Sequence, residues 1–540
     1  MSGSVSVTPS TAAAAAQSAA VQDDYLPARR ARNVLLVLAG IGLMVTYVET
    51  MVIPAQPRFV TFFGVPVSTA SWILSAYLLV GVVATPIFGK LGDIYGKKRV
   101  LEVVMLVYAI AVSVAGFTPN IGAAIGWDRT QQFYLFVGVR GVQGIGLGMF
   151  PLAFAMVRDE FPPFRVGAAQ GIISAMFSVG AALGLVGGAY ITENFGWQVS
   201  YHTVIPVAAA MLILTFLVLR ESRSRLHQPL DVLGASFLGL GLGFAIFGIT
   251  QGPIWGWGTW TVDGLPLGPA SSFLLAFLFI VAFAVWEPRA KNPIVSFSRL
   301  RQRNIMISNI GGLFVGSAMF FLFVGMIYLV QSPGDGLGQN VLTSGLMALP
   351  AALTMLVLGP FIGRYIGTHG PKTAMIVGFF SVAAGGALMV VYNRTILEMV
   401  LTPIPVLAGA VCVLIAMTNV IVLSSDRQEV GIQTGMNQTF RNIGSALGPA
   451  VAASILSTFT GVFLINVAPG VSVPVTLPSL FAFQLVFALT AVLGVVGALL
   501  SLGLRNFRFT ADGRRVDSQG RPVTIEPTPK PAVSIDTRVE

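Results

Sequence analysis

Charge is what this sequence has least of. Only 10% of its 540 residues are Asp, Glu, Lys or Arg, against 55% hydrophobic ones, and the mean hydropathy is +0.80. A soluble domain carries roughly 25% charged residues, so a fold surrounded by water is excluded and the chain reads as a bilayer protein. Cysteine is scarcer still. The single Cys412 lies in an apolar run, which rules out an intramolecular disulfide and any multi-cysteine metal site. The three histidines, His202, His227 and His369, stand far apart without ligand spacing, so no metal centre is expected. Glycine is abundant, yet no G-x-x-x-x-G-K-[ST] follows a strand, and nothing indicates ATP use. No span gathers a nucleophile, a base or metal-binding side chains on one face, which argues against an enzyme and against any bound cofactor.

What is present is a series of long apolar runs. A helix crossing the hydrocarbon core needs about 20 mostly apolar residues, and fourteen segments qualify. Six lie near 33–56, 69–89, 99–118, 131–157, 167–190 and 200–219. Two follow near 230–250 and 271–287, then six near 305–330, 342–362, 373–392, 399–423, 431–460 and 483–504. The runs are continuously apolar rather than alternating, which favours helices over a closed barrel. The first begins near Asn33 with no small-residue cleavage site after it, so an uncleaved first span is expected.

The cations fix an orientation. Lys and Arg concentrate in cytoplasmic loops. With the N-terminus inside, alternate segments hold 27 of the 32 basic residues, among them Arg29, Lys90, Lys97, Lys98, Arg99, Arg158, Arg223, Arg225, Arg289, Arg364, Lys372, Arg427 and Arg505. The outer loops hold Arg58, Arg129 and Arg394, while Arg140 and Arg441 fall inside spans. Both termini are therefore expected in the cytoplasm, in the plasma membrane. The formal charge of +10 is topology rather than a nucleic-acid footprint.

The chain also repeats itself. "PIFGKLGDIYGKK" (Pro86 to Lys98) is echoed by "PFIGRYIGTHGPK" (Pro360 to Lys372), pairing Gly89 with Gly363, Lys90 with Arg364, Gly96 with Gly370 and Lys98 with Lys372. Gly171, Gly180 and Gly184 are matched by Gly435, Gly444 and Gly448. Both echoes fall at the same place in each block of six spans. The expected organisation is an N-terminal tail over 1–32, a six-helix bundle over 33–220, two inserted helices and a linker over 221–304, a second bundle over 305–504 and a disordered tail over 505–540. Parallel repeats with a substrate site between them are a transporter architecture.

The loop Gly89 to Val100, "GKLGDIYGKKRV", joins the second and third spans. Glycines permit close backbone approach, and the cations satisfy topology. Asp93 is the odd residue, a carboxylate among Lys97, Lys98 and Arg99, suited to an ion pair that holds the cytoplasmic face closed in one state. This loop resembles the G-x-L-a-D-r-x-G-r-[KR] signature of the major facilitator superfamily, and the fourteen-helix count is similar to its drug:proton antiporter branch. The resemblance covers residues 30 to 505. It implies an all-helical membrane fold of two six-helix bundles plus an inserted pair. It places a cytoplasmic gate at Gly89, Asp93, Gly96, Lys97, Lys98, Arg99, Gly363, Arg364 and Gly370.

Charge inside a span is costly and marks function by default. Glu49, in "TYVETMVIP", is the carboxylate well inside the first span, roughly 12 Å below the outer end, and Arg140 in the fourth span lies roughly 14 Å below the same face at the helical rise per residue. A carboxyl group there binds a proton or a cationic substrate, not comfortably both, and that competition is what an antiporter needs. Glu49 would equally serve as a structural ion pair or a lipid-interface residue, and Arg140 as a hydrogen-bond hub. "RGVQGIGLG" (Arg140 to Gly148) resembles the family's R-x-x-Q-G-x-G pattern, which implies proton coupling for Arg140 with Gln143. The first span resembles the branch's acidic-then-A-L-P pattern with Glu49 for the usual Asp.

Gly180, Gly184 and Gly188 form a smooth strip placed like the signature g-x-x-x-G-P-x-x-G-G, with Leu185 for its proline and Ala189 for its last glycine. Asn437, Arg441, Gly444 and Gly448 share a helical face and resemble an N-x-x-x-R-x-x-G-x-x-x-G pattern of the thirteenth span. Packing between the bundles is expected from Gly180, Gly184, Gly188, Gly444 and Gly448, and a cavity role from Asn437 and Arg441. Simple helix packing is the alternative for each. Tyr47, Trp72 and Tyr77 are aromatic candidates for the substrate path, and Trp255, Trp257 and Trp260 fit an interfacial belt. These features together imply a secondary transporter working by alternating access, driven by a proton gradient and exporting lipophilic or cationic small molecules. A symporter or uniporter importing a nutrient would use the same fold. The expected partners are a small-molecule substrate and the lipid bilayer, with no nucleic acid, and a monomer suffices.

Overall fold

The structure is a computed structural model that describes residues 28–221, 230–291, 293–425, 430–468, 471–509, 515–517 and 521. The expectations for residues 1–27, for Arg223, Arg225, His227 and Arg427, and for most of the tail beyond 509 lie outside the described residues.

The spans, in chain order, are α1 (Ala28–Thr50), α2 (Trp72–Tyr95), α3 (Lys97–Ala124), α4 (Arg129–Gln143, continuing to Glu160), α5 (Pro163–Phe195) and α6 (Trp197–Val218). The inserted pair is α7 (Val232–Trp255) and α8 (Pro269–Trp286). The second six are α9 (Arg303–Gln331), α10 (Val341–His369), α11 (Pro371–Val391), α12 (Pro403–Ser424), α13 (Val430–Thr458) and α14 (Leu480–Leu502). Thirteen helices among the described residues are long and apolar enough to cross a membrane. The remaining one, α13, has 29 residues but is diluted by Gln433, Asn437 and Asn442, all of which are buried. Hidden between helices, those polar groups do not meet lipid, and α13 completes the fourteen.

Local signals set the helix ends. Asp128 and Gln131 close a capping box at the start of α4, and Asp231, Asn340 and Ser479 cap α7, α10 and α14 by accepting from otherwise unsatisfied N–H groups. The turns into α3 and α11 depend on Gly96 and Gly370, whose φ of 106° and 83° side chains rarely tolerate. These two were paired by the sequence echo, so the repeat is conformational as well as textual.

Contacts divide the spans into two halves. Within the first, α5 packs on α1 and α3 on α6; within the second, α13 packs on α9 and α11 on α12 and α14. Between halves, α5 meets α10 and α2 meets α13, while α7 lies against both α2 and α13. Two features were not foreseen. An antiparallel hairpin, β1 (Thr460–Ala468) with β2 (Val471–Pro478), stands between α13 and α14. In the tail, expected to be disordered, Phe507–Phe509 pairs with Arg515–Asp517, a short ladder whose strands alternate polar and apolar residues.

Candidate substrate and gating site

Glu49 sits in the last turn of α1. The helix ends at Thr50, four residues before Pro54, which has no N–H to donate to the Thr50 carbonyl. Thr50 donates to Thr46 O at 2.9 Å and to Ala181 O at 3.0 Å, tying α1 to α5. That junction is where the glycine strip lies. A methyl at Gly180 would collide with Thr46 and Leu43, at Gly184 with Thr50 and Tyr47, and at Gly188 with Met51. In the second half Gly444 presses on Leu313 and Gly448 on Ser317 and Phe320 of α9. The five glycines expected between the bundles therefore pack within each bundle, because they bring α5 to α1 and α13 to α9. The contact between halves uses a neighbouring edge of α5, where Leu185 and Ala189 meet Gly345 of α10. Those are the two positions that depart from the family pattern.

Arg140 is fully buried, and two of its three nitrogens bond inside the first half. Its Nε donates to Ile73 O at 3.1 Å and Nη1 to Gln143 Oε1 at 2.7 Å, while Gln143 Nε2 donates to Ala111 O at 3.0 Å. The guanidinium lies 4.5 Å from the centre of the Tyr77 ring, a cation–π contact. Tyr108 and Tyr201 are buried beside it; their hydroxyls, that of Tyr77 and Nη2 of Arg140 close no hydrogen bond of good geometry. Just beyond Gln143 the helix tightens to a 3-10 turn over Gly144–Gly148. Gly144 faces Tyr77 O, and Gly146 faces the Tyr108 ring, so bulk at either position would push the arginine away from its partners.

The second half supplies Asn437, which donates to Ser308 O at 2.9 Å and braces α13 on α9. One turn on, Arg441 is partly exposed. It is the charge that acts most strongly on Glu49, ahead of Arg140. Glu49 thus feels the charge of one guanidinium from each half, with no ion pair to either among the described residues. Trp72, a candidate for the substrate path, instead donates from Nε1 to Thr250 Oγ1 of α7 at 3.0 Å and fastens the inserted pair. Tyr47 lies beside Thr203.

On the basic face the signature loop is tied within its own half. Lys97 is buried, with Nζ 2.5 Å from Asp159 Oδ2 and 3.4 Å from Asp93 Oδ1. Glu221, just after α6, accepts from Lys98 N and Arg99 N at 3.2 Å, and Lys98 Nζ donates to Phe216 O at 3.0 Å. The second half repeats the device with Asn506, which accepts from Lys372 N at 3.3 Å, and with Lys372 Nζ donating to Leu502 O at 2.8 Å. Gly363 and Arg364 are exposed. Asp93 therefore pairs inside its own loop.

The opposite face is different. Ser68 N donates to Ser457 Oγ at 2.9 Å, Gln331 Nε2 to Pro54 O at 2.8 Å, and Val341 N to Glu193 Oε2 at 2.9 Å. Glu193 also pairs with Arg58 at 3.3 Å. Beyond that end α10 is less buried: apart from Ile366 its buried residues lie between Val341 and Ala351. The halves are latched on the opposite face. Sequence reading passed over Glu193, Gln331, Asp159 and Glu221. Glu193 could have been found as a carboxylate in the last turn of an apolar helix, and Asp159 as one in the run "RDE".

A family model described as Major Facilitator Superfamily matches residues 38–449 and again 326–534. The tetracenomycin C resistance and export protein of Streptomyces glaucescens is 26% identical over 79% of this chain and 76% of its own length. The multidrug transporter protein MdtP of Bacillus subtilis is 25% identical over 76% of this chain and 73% of its own. Among solved structures, the human organic anion transporter MFSD10 superposes with a TM-score of 0.57 at 18% identity, covering 88% of this chain and all of that one. The nucleoside transporter NupG, solved as a point mutant, gives 0.58 at 11% identity over 87% of this chain and 99% of that one. Both share the fold.

Proposed function

The chain belongs to the Major Facilitator Superfamily, and within it we propose that this protein is a proton-coupled exporter of lipophilic or cationic small molecules. The observation that carries the reading is Glu49, a carboxyl group in the first span that feels the charge of Arg441 of the second half and Arg140 of the first. A group so placed changes its surroundings whenever the halves rock, so its proton and a cationic substrate compete with a different outcome in each state. Alternating access requires such a differential affinity. Loading takes place from the basic face, read as cytoplasmic in the plasma membrane with both termini inside, while Glu49 is deprotonated. Protonation from the other side favours release, so the proton gradient supplies the energy. Arg140, Gln143, Asn437 and Arg441 shape the cavity, and the loops at Gly89 to Arg99 and Gly363 to Gly370 gate it. One chain contains both halves of the site and works as a monomer. The names of the relatives support export of drug-like compounds.

The test is proton flux in everted membrane vesicles on adding a panel of lipophilic cations and neutral drugs, for the native protein and for Glu49→Gln. Substrate-dependent proton release that is lost in Glu49→Gln is the expected result. Equal flux in both removes Glu49 from coupling, and uptake in the reverse direction makes the protein an importer.

A further inference from the structure

The inserted pair α7 and α8 has no part in the scheme above, yet its base holds a buried pair of carboxyl groups. Glu287, in the turn that ends α8, is fully buried. Its Oε1 accepts from Val295 N, and Ile294 N donates to the same carboxyl. Asp231, at the start of α7, uses Oδ1 to accept from Gly234 N at 2.9 Å and from Trp286 Nε1 at 2.8 Å. The other oxygens, Asp231 Oδ2 and Glu287 Oε2, are buried with no donor on either. They meet each other: the two side chains come within hydrogen-bonding reach, and both oxygens crowd the space above Gly234.

Carboxylates this close cannot both stay ionised. Each has spent one oxygen on fixed N–H donors, and the remaining pair offers two acceptors and no hydrogen. One proton solves the problem, because it turns a repulsion into an O–H···O bond. The local charges agree. Lys90 of α2 faces both acids, and Arg289 on the same turn is directed back to Val285 O. Two anions would repel across this gap, whereas a singly protonated pair carries one negative charge.

We propose that Asp231 and Glu287 form a proton-binding site, one proton shared between Oδ2 and Oε2, that fastens the linker from α8 to the second half onto the base of the inserted pair. The proton adds to one carboxyl from water, with no other bond made or broken. Its loss leaves two facing anions and frees Glu287 to release Val295. The linker over 293–302 enters α9, so this site ties the second half to α7 and, through Lys90, to the signature loop of the first. It is separate from Glu49 and stands whether or not the coupling proposed there is correct.

Infrared spectroscopy of the full-length protein in lipid discs tests it. The native protein and Glu49→Gln should both show a protonated-carboxyl stretch, shifted in deuterium oxide, that is lost in Glu287→Gln and in Asp231→Asn. Glutamine at 287 can donate to Asp231 while accepting from Val295, so that variant should fold and keep its linker. Tryptic cleavage after Arg299 and Arg301 should accelerate at alkaline pH in the native protein relative to Glu287→Gln, which supplies the trypsin control. If Glu287→Gln does not fold, the Asp231→Asn spectrum decides alone. Spectra that superimpose on the native one in that region, or a linker cleaved at the same relative rate at every pH, would overturn the proposal.

Discussion

Removing Glu193 should unlatch the opposite face. Its carboxylate accepts from Val341 N at 2.9 Å and pairs with Arg58 at 3.3 Å. A hydrogen bond to a charged acceptor is worth about 2 kcal/mol, and the half-exposed ion pair adds at most about 0.5 kcal/mol. Glu193→Ala therefore costs the latched state about 2.5 kcal/mol, a shift of roughly sixtyfold in the ratio of the two states. Glu193→Gln keeps a neutral acceptor for Val341 and loses about half of that energy. The assay is a distance distribution between spin labels at Thr61 and Thr476, both exposed on this face, in a chain whose single cysteine, Cys412, is replaced by Ser. The alanine variant should populate a longer distance that is rare in the native protein, with the glutamine variant between them. Identical distributions in all three would refute the latch and leave Gln331 and Ser457 as the contacts that hold the halves together.

Two further outcomes follow from the packing. Lys97→Met should lower thermal stability by about 2 kcal/mol, because Asp159 and Asp93 lose a buried cation while their own partial exposure softens the loss. Lys97→Arg should recover most of it, and a melt unchanged by the Met substitution would count against the pair. Gly444→Ala should cost about 2 kcal/mol by overpacking, since the methyl meets the Leu313 backbone. Gly435→Ala on the same helix meets nothing within 4 Å and should be neutral or slightly stabilising, as alanine favours a helix over glycine by about 1 kcal/mol. Equal melts for the two alanine variants would show that the α9–α13 contact is looser than described.

The bilayer setting, the helices and the internal repeat are legible in the linear sequence. Each rests on local chemistry: span length answers to membrane thickness, loop cations to topology, and Gly96 and Gly370 to a backbone angle that their neighbours cannot adopt. It also selected Glu49, Arg140 and Arg441, since charge within a span is rare enough to be read singly. Tertiary structure alone decided what these groups face. Helical spacing put Gly180, Gly184 and Gly188 on one strip, but whether the strip met the other half or α1 depended on how the six helices close, and it meets α1. Asp93 looked like a gate between halves, and its distance from Lys97 is set inside one loop. Glu193, Asp159, Glu221 and the Asp231–Glu287 pair draw their meaning from partners 55 to 148 positions away, and a linear pattern carries no signal for contacts that only folding creates.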